Sequence, residues 1–226
     1  MSNRTTPRIT RTIFLAGAML ALLLGATTAS AQSREGRWEF TLGTNYQLGA
    51  DLDGEGGSTL ATDDDFGFVM NTGYHFSDSL QTSFGLSWQS VGYDADIIKE
   101  DGSQVGITGA YDAWTLSANL IFNLGEGPLV PFVGAGIGYT WIDTNIPNGL
   151  PQTGCYWDPW WGYICSTYYP TANTDAFSYQ ALAGVRFAFN PSTFLRATYN
   201  SQWLQLDNFD STPRFDSVLL EVGWMF

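Results

Sequence analysis

The chain has 226 residues, a formal net charge of -13, and 22 acidic residues against nine lysines and arginines. Because a nucleic-acid-binding surface needs a basic patch, this charge balance excludes nucleic acid as a partner. Aromatic residues make up 15% of the chain, while the mean hydropathy is only -0.07. That combination is typical of a membrane β-barrel, whose polar lumen residues offset an apolar outer face.

The amino terminus has the pattern of a secretory signal peptide. Three arginines precede the apolar run 13–25, and small residues at 29–31 provide a cleavage site before Gln32. The apolar run is too short for a membrane anchor, since a spanning helix needs about 20 residues. We predict that residues 1–31 are removed and that residues 32–226 form one domain, which is more negative because those three arginines are lost.

Eight later segments alternate apolar and polar side chains with the period of two that indicates a β-strand. The predicted strands are 37–48, 66–76, 80–92, 110–123, 129–142, 176–189, 193–206 and 214–226. Each is long enough for a tilted strand to cross a bilayer. No remaining apolar run could cross as a helix, and in lipid the only other option is a closed barrel. We therefore predict an all-β fold, an eight-stranded antiparallel up-and-down transmembrane β-barrel.

The connections between the predicted strands alternate in length. The short links are 77–79, 123–129 and 190–192, and the longer links are 49–65, 93–109, 143–175 and 207–213. In bacterial outer-membrane barrels, short turns face the periplasm and longer loops face outward. We therefore expect both termini of the mature chain to be periplasmic.

A soluble eight-stranded barrel such as a lipocalin is the structural alternative, because alternation alone does not say which face is inside. The face opposite the apolar one holds Glu39, Thr41, Asn45, Gln47, Asn71, Ser83, Ser87, Gln89, Ser117, Asn119, Gln180, Arg186, Arg196 and Glu221. A soluble barrel would carry its apolar residues inside and its polar residues outside, and a protein core does not bury so many polar groups without a strong reason. Aromatic residues near the strand ends, including the terminal Phe226, also favour lipid outside.

Three pieces of the chain are characteristic: 131–139 (PFVGAGIGY), 189–192 (FNPS) and the closing 221–226 (EVGWMF). With the strand pattern, they resemble the small outer-membrane β-barrel family that includes the OmpA transmembrane domain and OmpW, porin-like proteins of Gram-negative bacteria. The resemblance implies a cell outer-membrane location, with outer-membrane lipid and lipopolysaccharide as neighbours. It also implies insertion by the outer-membrane assembly machinery, which in this family reads the carboxyl-terminal strand, here ending in Phe226.

Four charged residues of the polar face form the candidate lumen ion network. Glu39 and Glu221 lie on the first and last strands, which become neighbours when the barrel closes, while Arg186 and Arg196 lie on strands six and seven. An eight-stranded barrel has an interior that side chains can fill. One interpretation is a plug of ion pairs that satisfies buried charge. The other is a gate whose pairs exchange partners and open a narrow pore.

The sequence offers little for catalysis. Outer-membrane enzymes of this barrel size, a lipid A deacylase and a palmitoyl transferase, need a histidine-serine site at the level of the outer leaflet. Here His75 is the only histidine, and it lies with Ser77 at the short-turn end, in the wrong leaflet for that chemistry. We predict that the protein is not an enzyme and that it uses no cofactor. We also predict that His75 points inward near the short-turn end, at the rim in the interfacial belt.

The third long loop carries a compact aromatic segment. From Cys155 to Cys165 it reads CYWDPWWGYIC, and we expect the two cysteines to form a disulfide in an oxidising compartment. Two thiols without histidine make an incomplete zinc site, so no metal is expected there. One interpretation is that the rings are a binding surface for a protein, glycan or lipid, and the other is that they pack together and cap the barrel. The candidate surface consists of Trp157, Trp160, Trp161 and Tyr163.

Acidic residues dominate the first two long loops. They are Asp51, Asp53, Glu55, Asp63, Asp64, Asp65, Asp94, Asp96, Glu100 and Asp101. The spacing does not complete a calcium loop. We predict a monomeric, non-enzymatic outer-membrane barrel with a structural or surface-binding role through its acidic and aromatic extracellular loops. The alternative, implied by the resemblance to OmpW, is a narrow channel for small solutes or hydrophobic molecules.

Overall fold

The computed structural model describes residues 33–53, 57–98, 103–147, 150, 152–168, 171–206 and 212–226. Nearly all of them lie in antiparallel strands. The predicted signal peptide lies outside the described residues, as do Glu55, Glu100 and Asp101 of the acidic loops. Within the described ranges, no helix is long and apolar enough to cross a membrane.

The described residues form twelve strands. They are β1 (Trp38–Gln47), β2 (Asp51–Asp53), β3 (Thr59–Thr62), β4 (Asp65–His75), β5 (Leu80–Ile98), β6 (Gln104–Asn123), β7 (Leu129–Pro147), β8 (Gln152–Asp158), β9 (Gly162–Tyr168), β10 (Thr171–Asn190), β11 (Thr193–Gln205) and β12 (Arg214–Met225).

Eight of these strands close into a barrel. Neighbours pair in the order β1, β4, β5, β6, β7, β10, β11 and β12, and β12 pairs back with β1. The closing register places Gly43 opposite Glu221 and Leu42 opposite Val222. The predicted eight-stranded antiparallel up-and-down barrel is confirmed.

The barrel is apolar outside and polar inside. Large side chains such as Trp38, Phe84 and Leu120 are exposed on the outer face, whereas Glu39 and Glu221 are buried in the lumen. This arrangement is the inverse of a soluble barrel and matches a lipid-facing wall. The lumen also contains an apolar cluster of Ile121, Phe132 and Leu182 on adjacent strands.

The long connections contain more β-structure than we predicted. β5 continues to Ile98 and β6 begins at Gln104, where the sequence predicted a connecting loop at 93–109. Loop 49–65 contains the hairpin β2–β3, whose second strand pairs with β5. The pairing continues because residues beyond the barrel, such as Val105 and Ile107, are β-branched and favour extended backbone.

The aromatic segment forms a two-stranded sheet of its own, β8–β9. Cys155 and Cys165 lie opposite each other in its register and form a disulfide, which confirms the predicted pairing. At the turn, Oδ1 of Asp158 accepts hydrogen bonds from the backbone amides of Trp160 and Trp161 at 2.8 and 2.9 Å. The hairpin is thus closed at both ends of its aromatic portion.

Loss of the disulfide should loosen this hairpin without weakening the barrel. A loop this short gains roughly 2–3 kcal/mol from cross-linking in the entropic model, and the described hairpin strands share no sheet with the barrel. In Cys155→Ser/Cys165→Ser protein, chymotrypsin should cut the aromatic segment faster, while the urea midpoint of the barrel stays unchanged. A lowered barrel midpoint would show instead that hairpin and barrel unfold together.

Candidate functional site

The four predicted lumen residues meet in one cluster inside the barrel, here called the lumen cluster. Arg196 donates from Nε and Nη2 to the two carboxylate oxygens of Glu221, both at 2.8 Å. Its Nη1 donates to Glu39 at 3.0 Å, and Nη1 of Arg186 donates to the other oxygen of Glu39 at 3.2 Å. All four side chains are buried, so two guanidinium groups balance two carboxylates.

Strand register places these charges side by side. Arg196 lies opposite Glu221 in the β11–β12 pair and opposite Arg186 in the β10–β11 pair. Like charges directly opposite each other destabilise a sheet, and Glu39 relieves that repulsion because it accepts from both guanidinium groups. Glu39 belongs to β1, so the cluster is complete only when the first strand closes against the last.

The guanidinium group of Arg186 packs against the aromatic ring of Phe194. The guanidinium carbon lies 3.6 Å from the ring centroid of Phe194, within the range of a cation–π interaction. Phe194 faces Gly223 across the β11–β12 pair, where an added Cβ would overlap the ring. Gly223 therefore leaves the space that the ring occupies, and a larger residue there would push the ring away from Arg186.

Three further polar side chains complete the bonding of the carboxylates, and the sequence analysis did not assign them to the network. Thr41 Oγ1 and Asn71 Nδ2 each donate to Oε1 of Glu221 at 2.6 Å. Gln81 donates to Glu39. Their inward-facing positions were the available signal, but alternation alone does not say which residues of that face come within bonding distance.

His75 points inward at the short-turn end of β4, as predicted, but it is buried and not exposed at the rim. The side chain is fully buried, and its Nε2 lies 3.0 Å from Oε2 of Glu39. The segment before β1 covers it: the amide of Gly36 donates to the carbonyl of His75, and the amide of His75 donates to the carbonyl of Arg37. His75 is therefore part of the lumen cluster and lies inside the barrel.

The space around the lumen cluster is small. On the long-loop side a polar cavity of about 70 Å³ is lined by residues that include Asn45, Asn119 and Gln180. At the level of Glu39 and Arg196 the free volume is only about 10 Å³, which is about enough for one water molecule. Side chains therefore fill the barrel at this level.

The segment before β1 also closes the short-turn end of the barrel. The backbone amide of Arg34 donates to Oδ1 of Asp78 at 2.5 Å, and Nη2 of the same residue donates to the carbonyl of Gly125 at 2.8 Å. Nη1 of Arg37 donates to the carbonyl of Pro191 at 3.0 Å. Two arginines thus contact all three short turns of the barrel.

We expect Asp78 to titrate below the ordinary carboxyl value of 3.8. The hydrogen bond from the Arg34 amide stabilises the carboxylate and lowers the pKa of Asp78. Because the folded pKa lies below the unfolded one, this carboxylate stabilises the fold above about pH 3.8, and the contribution is lost as the pH falls through the folded pKa. A carbon-13 NMR titration should place its midpoint below 3.8, and a midpoint at or above 3.8 would contradict this assignment.

The four rings of the candidate binding surface are exposed. Trp160, Trp161, Tyr163 and Trp157 have exposed fractions of 86%, 80%, 77% and 63%. Trp157 and Tyr163 contact each other edge to face, with 5.2 Å between their ring centroids. Rings that capped the barrel by mutual packing would be mostly buried, so these exposures favour the binding interpretation.

Acidic side chains lie around the same end of the barrel. Asp64, Asp94 and Asp143 accept hydrogen bonds from neighbouring loop groups. Among the residues that the structure describes, no three His, Cys, Asp or Glu side chains come together as a metal site. That the protein works without metal, cofactor or catalysis stays a prediction.

The family model of the outer membrane protein beta-barrel domain matches residues 18–226. Solved structures with a similar fold include the outer membrane protein OprG from Pseudomonas aeruginosa, with 10% identity, a TM-score of 0.54, and coverage of 85% of this chain and 97% of that one. Neisserial surface protein A has 13% identity, a TM-score of 0.51, and coverage of 84% and 98%.

The attachment invasion locus protein Ail of Yersinia pestis, solved in complex with the heparin analogue sucrose octasulfate, is also similar. It has 16% identity, a TM-score of 0.50, and coverage of 85% of this chain and 99% of that one. No sequence among curated proteins matches the chain. At such low identities, the likeness to solved structures shows the fold alone.

Proposed function

The chain belongs to the outer membrane protein beta-barrel domain family, and from that premise we propose a non-enzymatic, monomeric barrel that binds partners at the cell surface. The short turns and both termini of the mature chain lie in the periplasm, and the extended hairpins lie outside. Residues 1–31 are removed on export, and the assembly machinery recognises the last strand, β12, together with Phe226, which follows it. Outer-membrane lipid and lipopolysaccharide surround the barrel.

The observation that carries this proposal is the exposure of the aromatic hairpin β8–β9. Trp and Tyr are the residues that most often anchor protein interfaces, and four of them protrude here. The disulfide and the turn at Asp158 hold the rings in place, which lowers the entropy cost of binding. Residues 152–168 contain no lysine or arginine, and Asp158 is their only acid, so the surface is aromatic and nearly neutral.

The acidic loops narrow the choice of partner. Asp94 and Asp96 are exposed on the β5 extension, and Asp63 and Asp64 are exposed before β4, all at the long-loop end of the barrel. A polyanion would be repelled by this surface, most strongly at low salt. Although Ail was solved with a sulfated ligand, we expect this protein to bind a neutral partner, such as an uncharged glycan whose apolar sugar face stacks on the rings.

The test is binding of the mature protein to an array of neutral glycans and heparin. Wild type should bind at least one neutral glycan, heparin should give no signal, and Trp160→Ala/Trp161→Ala should abolish binding. Ile97→Ala/Ile98→Ala is the matched control, because it removes two exposed apolar side chains from a neighbouring extracellular strand. Absence of glycan binding, or equal binding by the tryptophan double variant, would contradict the proposal.

A narrow channel for small solutes or hydrophobic molecules is the second candidate. The polar cavity of about 70 Å³ on the extracellular side of the lumen cluster favours it, since a solute path would need such a vestibule. Transport would also require the ion pairs of Arg196 and Arg186 to separate. Single-channel recording in a planar bilayer distinguishes the two candidates, because discrete openings indicate a channel and silence indicates a closed barrel.

A further inference from the structure

Three arginines line one cavity at the short-turn end of the barrel, and we propose that this cavity binds a phosphate group. Its periplasmic location follows from the orientation proposed above, but the chemistry of the site does not depend on that orientation or on the aromatic hairpin. The lining residues that matter are Arg34, Arg37, Arg186, Asp78 and Glu126.

The cavity has the size of a ligand site. Its volume is about 660 Å³, within the usual range of roughly 300–1,000 Å³ for small-molecule pockets. It lies between the segment before β1 and the short turns, and Arg186 forms part of its lining on the lumen side. The lumen cluster, with its free volume of about 10 Å³, separates it from the extracellular vestibule.

Most of the arginine donors at this cavity form no hydrogen bond with the residues that the structure describes. A guanidinium group carries five N–H donors, yet the side chain of Arg34 donates to one backbone carbonyl and that of Arg37 donates to two. Within the described part of the chain, no carboxylate forms an ion pair with either guanidinium. Arg186 shares the carboxylate of Glu39 with Arg196.

The arrangement of charges and donors around the cavity decides which ligand it can take. Of its two carboxylates, Asp78 is bound by the amide of Arg34 and the hydroxyl of Ser33, which leaves Glu126 as the carboxylate that opposes the arginines. Because Glu39 already offsets Arg186 in the lumen cluster, the cavity has no excess of positive charge, and the free N–H donors of Arg34 and Arg37 are what favours an anion. Phosphate fits because its oxygens accept paired N–H donors and its charge of nearly -2 matches several guanidinium groups.

Phosphate could reach this cavity from two sources, as a soluble phosphate ester or as a lipid headgroup of the inner leaflet. Both would present the same oxygens to the arginines. A soluble ester would enter along the barrel axis, whereas a headgroup would enter across the rim at Phe189 and Pro191, which also line the cavity. The experiment therefore needs one arm for each source.

The proposal is tested by NMR on mature protein that is isotopically labelled at arginine. Residues 33–226 contain five arginines, and the Nε–H signal of each one is followed. In nonionic micelles, inorganic phosphate or glycerol phosphate should shift Arg34, Arg37 and Arg186 saturably and leave Arg214 unchanged. In phosphatidylcholine nanodiscs, the same shifts on addition of phosphatidylglycerol would assign the lipid source. Shifts in either arm support the proposal, and their absence in both arms overturns it.

Variants with opposite expected effects sharpen this test. Arg37→Gln should weaken phosphate binding at least tenfold, and Glu126→Gln should strengthen it because a like charge is removed. Arg214→Gln is the control, since that arginine lies at the opposite end of the barrel on β12. Equal affinity in Arg37→Gln and wild type, or weaker binding in Glu126→Gln, would overturn the site. Trp160→Ala/Trp161→Ala should bind phosphate like wild type, which separates this result from the surface-binding proposal.

Discussion

Arg196→Ala should destabilise the refolded barrel by roughly 3–5 kcal/mol, the usual cost of removing one partner from a buried ion pair. Arg196 donates to both oxygens of Glu221 and to Glu39. Its loss leaves Glu221 buried with only neutral donors, and Glu39 loses its shortest arginine contact. Urea unfolding in lipid vesicles, followed by tryptophan fluorescence, measures the effect as a lower midpoint.

The control for this prediction is Arg214→Ala at the other end of the barrel. Arg214 pairs with Asp216 at 2.9 Å, but half of the arginine side chain is exposed, and exposed pairs contribute about 0–1 kcal/mol. Its midpoint should therefore remain close to wild type. If Arg196→Ala unfolded at the wild-type urea concentration, the lumen cluster would not be a stabilising network.

Glu39→Gln should destabilise the barrel by a similar amount. Arg196→Ala leaves negative charge unpaired in the lumen, whereas Glu39→Gln leaves positive charge unpaired there. The amide keeps the size of the side chain but removes the charge that both arginines share, so Arg186 and Arg196 remain opposite each other with only Glu221 to balance them. We expect a loss of about 3–5 kcal/mol in the same urea assay. We also expect Arg186→Met to restore part of that stability, because it removes the unbalanced charge.

Asp216→Asn is the matched control for this substitution, because it also changes a carboxylate to an amide. Its partner is the exposed Arg214, so only a small change is expected. Wild-type stability in Glu39→Gln would mean that the buried arginines do not depend on this carboxylate. An additive loss in Glu39→Gln/Arg186→Met would likewise argue against direct coupling of the two residues.

The barrel itself could be predicted from the sequence because the face of each strand residue follows from a local period of two. Alternation placed Glu39 and Glu221 inside and Phe226 at the closing end without any knowledge of partners. The length of the hairpins at the long-loop end of the barrel was not predictable in this way. Whether β5 ends at 92 or at Ile98 depends on a partner strand that begins at Gln104, and this pairing is a property of two segments together.

The membership of the lumen cluster was predictable only in part. Opposite charges on inward faces indicated Glu39, Arg186, Arg196 and Glu221, but the depth of each side chain depends on strand register. The burial of His75 was not predicted because the segment that covers it precedes β1 and reaches it only in the closed barrel. In the same way, the Cys155–Cys165 disulfide could be predicted from composition and compartment, whereas the exposure of the rings beside it required the structure.

Single-channel recording of the mature protein in a planar bilayer tests most directly the claim that the lumen cluster closes the barrel. Folding is first verified by heat-modifiable gel mobility, and Arg186→Ala is recorded beside wild type. We expect wild type to be silent, because ion pairs and a free volume of about 10 Å³ close the lumen. Discrete wild-type openings whose frequency or size changes in Arg186→Ala would contradict the claim and make the cluster a gate.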